Sequence, residues 1–215
     1  MAAAIFLIAV AVVSAGRSAH VPPTSQASKF ALPDVFADVG LATCVANEID
    51  QQGLPAKASG PDLAQVQSLS CHGDLTGMRI RSLDGLAELP NLTSLDLPNN
   101  DVSDNQIAGI DPLGGLTGLG RLTITRNAIT SPTPLGALPA LTMLNIAGNR
   151  ITDARTFVGF GALTELWVGG NPLSDLSPLA ALPELLGVDT EGIDPTTMKG
   201  ADVLEAHNIY VGGRA

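Results

Sequence analysis

Three histidines, His20, His72 and His207, are the side chains of this 215-residue chain best suited to moving protons near neutral pH. A serine–histidine–carboxylate device would need one of them to meet a nucleophile and an acid in space. Three carboxylates, Glu165, Asp189 and Glu191, are of the type that works in pairs on glycosidic bonds. Three more, Asp101, Asp104 and Asp111, could offer oxygens to calcium, but their spacing lacks the alternating ligands and the glycine sixth in line of an EF-hand loop. No glycine-rich phosphate cradle occurs. Two cysteines, Cys44 and Cys71, complete the reactive inventory. What any of these can do depends on the elements that carry them.

Those elements repeat. Leu119, Leu141, Leu163 and Leu185 stand 22 residues apart, and Leu92 opens an earlier copy. With the opening leucine as position one, apolar residues fall at one, four, six and eleven, with asparagine at nine. The copies read Leu119, Leu122, Ile124, Asn127, Ile129; then Leu141, Leu144, Ile146, Asn149, Ile151; then Leu163, Leu166, Val168, Asn171, Leu173. An earlier copy reads Leu92, Leu95, Leu97, Asn100, Val102. Positions four and six alternate with polar residues, which is strand patterning. Leu135 and Leu138, Phe157 and Phe160, Leu179 and Leu182 add two apolar positions on a return arm. A fixed period in this range is the mark of a solenoid. The asparagines Asn100, Asn127, Asn149 and Asn171 form a ladder, because an amide side chain can satisfy backbone groups that lose water at the turn. Five extra residues separate Leu92 from Leu119; they are assigned to the stretch Asp101 to Ile110, bulging from the return arm or rim. A first, longer copy runs through Val66, Leu69, Cys71 and Asp74, closed by Leu83, Leu86 and Leu89.

The stretches LTSLDLPNN, LTMLNIAGNRITD and LTELWVGGNPLSDLSPLAALPEL resemble the leucine-rich repeat family, in its 22-residue internalin-like class. The resemblance covers about residues 66–190. It implies an α/β solenoid, curved, with a parallel sheet on the concave side, and binding of proteins there. The expected organisation is a signal peptide over 1–15, a disordered linker over 16–32, a helical cap over 33–65, repeats over 66–190 and a C-terminal cap over 191–215.

The first of these rests on an uncharged apolar run, Ala2 to Val13, followed by small residues, which predicts cleavage after Ala15. The run is shorter than the ~20 residues a spanning helix needs. No stable membrane anchor is expected after cleavage, and the localisation is secreted or periplasmic. Next, Asp38 is placed to cap a helix on which Leu41, Cys44, Val45 and Ile49 share a face, with Gly53 and Pro55 ending it. Cys71 falls at an inward position of the first repeat. An even cysteine count behind a signal peptide predicts one disulfide, Cys44–Cys71, tying cap to stack. At the other end Asp194-Pro195 reads as the start of a helix running through Val203, Leu204 and Ala206. Asn208 to Val211 follows as a short strand.

Positions three, five and seven point outward from the strands. They comprise Asp96 on the second copy, Arg121 on the third, Met143 and Asn145 on the fourth, Glu165 and Trp167 on the fifth, and Asp189 on the last. Trp167, the sole tryptophan, is read as facing out from the middle of its strand. Exposed tryptophan is over-represented among binding hot spots. The expected protein-binding set is therefore Trp167, Met143, Asn145, Glu165, Asp189, Arg121 and Asp96. The surrounding carboxylates point to a basic protein ligand.

The formal net charge of -10 excludes a nucleic-acid partner, since no basic patch is present to displace phosphate counterions. His72 and His207 fall at opposite ends of the stack. Glu165, Asp189 and Glu191 fall on an open sheet without a water-excluding cleft. No catalytic residue, metal site or cofactor is expected. The chain reads as a monomeric, non-catalytic binding protein. The alternatives are a structural or self-associating envelope solenoid and, third, a hydrolase.

Overall fold

Each repeat commits three residues to a strand, and the alternation within them decides which side chain is buried. In the computed structural model, which describes residues 32, 35–54, 60–71, 80–97, 107, 109–193 and 197–213, seven such strands lie side by side. They are β1 (Ser68–Ser70), β2 (Ser94–Asp96), β3 (Arg121–Thr123), β4 (Met143–Asn145), β5 (Glu165–Trp167), β6 (Gly187–Asp189) and β7 (Tyr210–Gly212). All pairs are parallel, and the spatial order follows the chain order from β1 to β7. The central residue of every strand points into the core: Leu69, Leu95, Leu122, Leu144, Leu166, Val188 and Val211 are all buried. Its two neighbours point to the open face.

The return arms are short 3-10 turns, at Leu86–Glu88, Asp111–Gly115, Thr133–Leu135, Ala154–Phe157 and Ser177–Ala181. Each closes its layer with an apolar residue, Leu86, Leu113, Leu135, Phe157 or Leu179, none with measurable exposure. Phe157 and Phe160 pack ring against ring with centroids 5.6 Å apart. Two of these arms are approached by aspartates whose side chains bond backbone N–H groups, which the sequence did not foretell. The Arg155 N–H donates to Asp153 Oδ1 at 2.9 Å and the Ser177 N–H to Asp175 Oδ1 at 2.9 Å. The Ser177 hydroxyl and, next, its N–H hold the Asp175 carboxyl below the usual aspartate range.

The asparagine ladder is built at three rungs. Asn149 Nδ2 donates to Ile146 O at 2.9 Å in its own repeat and to Ile124 O at 3.0 Å in the preceding one. Its Oδ1 accepts from the Ile129 N–H at 3.0 Å. Asn171 does the same with Val168 O, Ile146 O and the Ile151 N–H. Each of these two rungs thus joins two layers. Asn127 donates to Ile124 O and Thr125 O, but its Oδ1 is the one buried side-chain polar atom without a partner among the described residues. Asn100 lies outside the described residues.

The place of the insertion differs from the expected one. Ile107 is buried without exposure and stands 22 residues before Ile129, with Ile110 and Leu113 in the same step before Pro132 and Leu135. Ile107, rather than Val102, therefore holds position eleven. The five extra residues fall between Leu97 and Ile107, ahead of the return arm rather than in it. The buried Ile107, Ile110 and Leu113 keep the 22-residue phase of the arm, so the excess precedes them in the sequence; residues 98–106 lie outside the described residues.

The caps seal both ends. Helix α1 (Val39–Gln51) starts on Asp38, whose Oδ1 accepts from the Leu41 N–H at 2.9 Å. Its Oδ2 accepts from the Arg81 and Ser82 N–H groups, pinning the helix start to the first layer. Leu41, Val45 and Ile49 are buried from one face. A disulfide joins Cys44 on α1 to Cys71 after β1, with Cα atoms 5.6 Å apart. The short helix α2 (Gly60–Leu63) leads into the first repeat.

At the far end, helix α3 covers only Ala201–Ala206 and is headed by Gly200, not Asp194; residues 194–196 lie outside the described set. Tertiary pairing delays it. Lys199 runs beside Asp175, donating from its N–H to Ser174 O and accepting from the Leu176 N–H, so the chain is extended there. Gly200 turns it with φ +83, where any Cβ would collide with the Ser177 backbone. α3 then packs on the last return arm. No helix among the described residues is long and apolar enough to cross a membrane.

Candidate functional site

The open face of the sheet displays two side chains per strand in strict rows. One row runs Ser68, Ser94, Arg121, Met143, Glu165, Gly187, Tyr210; the other runs Ser70, Asp96, Thr123, Asn145, Trp167, Asp189, Gly212. All seven residues singled out in the sequence therefore lie on one face. Met143 partners Glu165 and Asn145 partners Trp167 across the β4–β5 pair. Arg121 stands one strand earlier and Asp96 two strands before Asn145, beside Ser70, whose hydroxyl lies 3.5 Å from Asp96 Oδ2. Trp167 is the last residue of β5 rather than its middle, because the strand is only three residues long.

Rather than a uniform surface, the C-terminal part of this face holds a depression of ≈ 310 Å³, lined by Glu165, Trp167, Leu186, Gly187, Asp189, Tyr210 and Gly212 together with Leu166 and Val188. Its floor is low because Gly187 lacks a side chain. Tyr210 and Leu186, 74% and 66% exposed, are among the five exposed large hydrophobic residues of the described set, and both border it. A second glycine shapes the wall. A Cβ at Gly212 would sit 3.1 Å from Tyr210 Cε1 and 3.5 Å from Asp189 Oδ2, so a side chain there would press on the tyrosine ring beside that carboxylate. Asp189 Oδ1 accepts from the Glu191 N–H at 3.1 Å, which fixes its carboxylate. Glu191 itself does not line the depression.

Tyr210, Leu186 and Gly212 were not anticipated. The 22-residue count from Gly187 lands on Ile209, yet Gly187 pairs with Tyr210. That one-residue slip turns Ile209 and Val211 inward and Tyr210 outward. The alternation of Ile209, Tyr210 and Val211 was the only available signal.

The chemistry considered at the outset is dispersed. His207 Nδ1 lies 2.8 Å from Val203 O at the end of α3, and His20 and His72 lie outside the described residues. Asp101 and Asp104 also lie outside them. Glu165 and Asp189 stand on adjacent strands but in different rows, over an open depression. Among the described residues, no group of three or more His, Cys, Asp or Glu could hold a metal ion.

Strand-and-arm layers of 22 residues, an asparagine ladder and an all-parallel sheet in chain order define a leucine-rich repeat fold. The family description Leucine Rich repeats (2 copies) matches residues 139–181, the two most regular layers. Within that class the chain has the internalin-like fold. It superposes on a crystal structure of an internalin from Listeria monocytogenes with TM-score 0.61 and 21% identity, over 87% of this chain and 58% of that one. The chain thus spans little more than half the length of that internalin. Internalin C2 of the same species is matched at TM-score 0.47 and 24% identity, over 84% of this chain and 95% of the other. No curated protein sequence matches the chain.

Proposed function

We propose that the protein is an exported binding scaffold that recognises another protein through the concave face of its sheet, with Trp167 as the anchor and without catalysis. The observation that carries this reading is the depression at β5–β7, where the exposed Tyr210 and Leu186 and the half-buried Trp167 offer apolar surface outside the core cluster. Apolar side chains gathered at one place on an otherwise polar face mark interaction sites, whereas scattered ones do not. Met143, Asn145, Arg121 and Asp96 extend the same face toward the N-terminal cap and would contact the rest of the ligand. The open geometry supports binding over chemistry, because water reaches Glu165 and Asp189 freely.

Export to a periplasm or medium is supported by the apolar run at Ala2 to Val13 and by the Cys44–Cys71 disulfide, which suits an oxidising compartment. The test is capture of partners from the native envelope and medium on immobilised protein. Trp167→Ala is expected to weaken the captured interaction more than tenfold while the circular dichroism spectrum is unchanged. Undiminished affinity would overturn the reading.

A further inference from the structure

The rows around Gly187 have an arrangement that selects a ligand chemistry. In the first row Glu165, Gly187 and Tyr210 are Cα partners; in the second, Trp167, Asp189 and Gly212 are. Strands lie about 4.8 Å apart, so the empty place above Gly187 separates Glu165 from Tyr210 by about 10 Å between Cα atoms. It is bounded on the second row by the indole of Trp167 and the carboxylate of Asp189. The notch therefore has two carboxylates and two aromatic rings around a bare floor. No Lys or Arg among the described residues pairs with Glu165 or Asp189. The phenol ring lies close to Gly212, and Tyr210 is largely exposed rather than packed into the core.

Resting on the concave-face reading above, we propose that this notch is a subsite for one cationic side chain of the ligand, an arginine or lysine inserted over Gly187. A planar guanidinium can stack on an aromatic face while its N–H groups meet a carboxylate, and both interactions favour a cation over a neutral group. The net charge of -10 brings such a ligand toward the face and makes its binding sensitive to salt. Gly187 acts as the specificity determinant. A Cβ there would meet only Tyr210 O, at 3.9 Å, so the fold does not require glycine at this position and its absent side chain serves the notch.

Because Trp167 is the sole tryptophan, intrinsic fluorescence reports on this site alone. The full chain is titrated with a blocked heptapeptide carrying one central arginine, with its citrulline counterpart, and with a neutral oligosaccharide. The arginine peptide is expected to shift the emission saturably, with the response falling as salt rises, and the citrulline peptide to bind at least tenfold more weakly. Gly187→Leu, which fills the notch, and Glu165→Gln combined with Asp189→Asn are each expected to weaken the arginine peptide at least tenfold, with circular dichroism unchanged. Equal binding of citrulline, an unaffected Gly187→Leu, or a response to the oligosaccharide alone would overturn the proposal. Failure here is separable from failure of the wider reading. Should the captured partner be lost on Trp167→Ala yet kept by Gly187→Leu and by the double carboxylate variant, the concave face stands and the cation notch falls. A partner kept by Trp167→Ala removes the wider reading and leaves the peptide titration to judge the notch.

Discussion

Asn149 and Asn127 occupy the same register position and are chemically identical, yet they carry different loads. Asn149 donates to Ile146 O and Ala147 O in its own layer and to Ile124 O in the preceding one, and accepts one N–H, whereas the Oδ1 of Asn127 has no partner among the described residues. Removing a side chain that satisfies buried backbone groups leaves those groups stranded, at about 1–3 kcal/mol. Asn149→Ala is therefore expected to cost about 2–3 kcal/mol and Asn127→Ala about 1 kcal/mol. Urea unfolding of both variants measures the difference, and equal losses would show that the missing acceptor contact is irrelevant. The repeat pattern foretold that these asparagines are buried and bonded. It could not foretell the inequality, which shows only in the partners that each amide finds among the described residues. Trp167 shows the same limit. Its outward direction followed from strand alternation, but the place of Tyr210 two strands away depended on a one-residue slip that no count reveals.

At the scale of elements, the insertion and the N-terminal cap are decided by burial. Counting back 22 residues from Asn127 reaches Asn105, two residues before the buried Ile107, while Asn100 stands before the extra residues. The ladder position of that layer is thus expected to belong to Asn105. Asn105→Ala should lower stability by about 1–3 kcal/mol while Asn100→Ala stays within about 0.5 kcal/mol; the reverse order in thermal unfolding would restore the original register. The cap is held by Asp38, by an apolar face of α1 and by a disulfide closing a loop of 27 residues. A cross-link over a loop of that size contributes about 3 kcal/mol, mainly by restricting the unfolded chain. Cys44→Ala with Cys71→Ala is expected to lower the free energy of unfolding by about that amount. Alkylation with mass spectrometry should find no free thiol in the native protein, and two free thiols would remove the staple.

For the whole molecule, a stack of layers buries its core only if both ends are covered. α1 covers the first layer, and α3 with β7 covers the last, where Thr190 donates to Gly212 O at 2.8 Å and Ile193 stands in the ladder position. With both ends sealed, a monomer is expected. Light scattering during size-exclusion should give the mass of one chain, independent of loading. A mass that rises with concentration would instead support the self-associating solenoid. The ladder ends at Ile193 because the next strand belongs to the cap and asks for an apolar contact rather than another turn.

By itself the sequence determined the scaffold. The 22-residue phase set which side chains enter the core, the strand alternation set which face the open surface, and the pairing of Cys44 with Cys71 followed from the register. Such features are local and repeated, so each copy restates the same physical requirement. What only the tertiary structure decided lies where the repetition stops. The late start of α3 comes from the pairing of Lys199 with the last arm. The phase of the insertion comes from the burial of Ile107, and the notch over Gly187 comes from the shifted register of β7. These depend on one element meeting another far along the chain, and no period in the sequence encodes a contact that happens once.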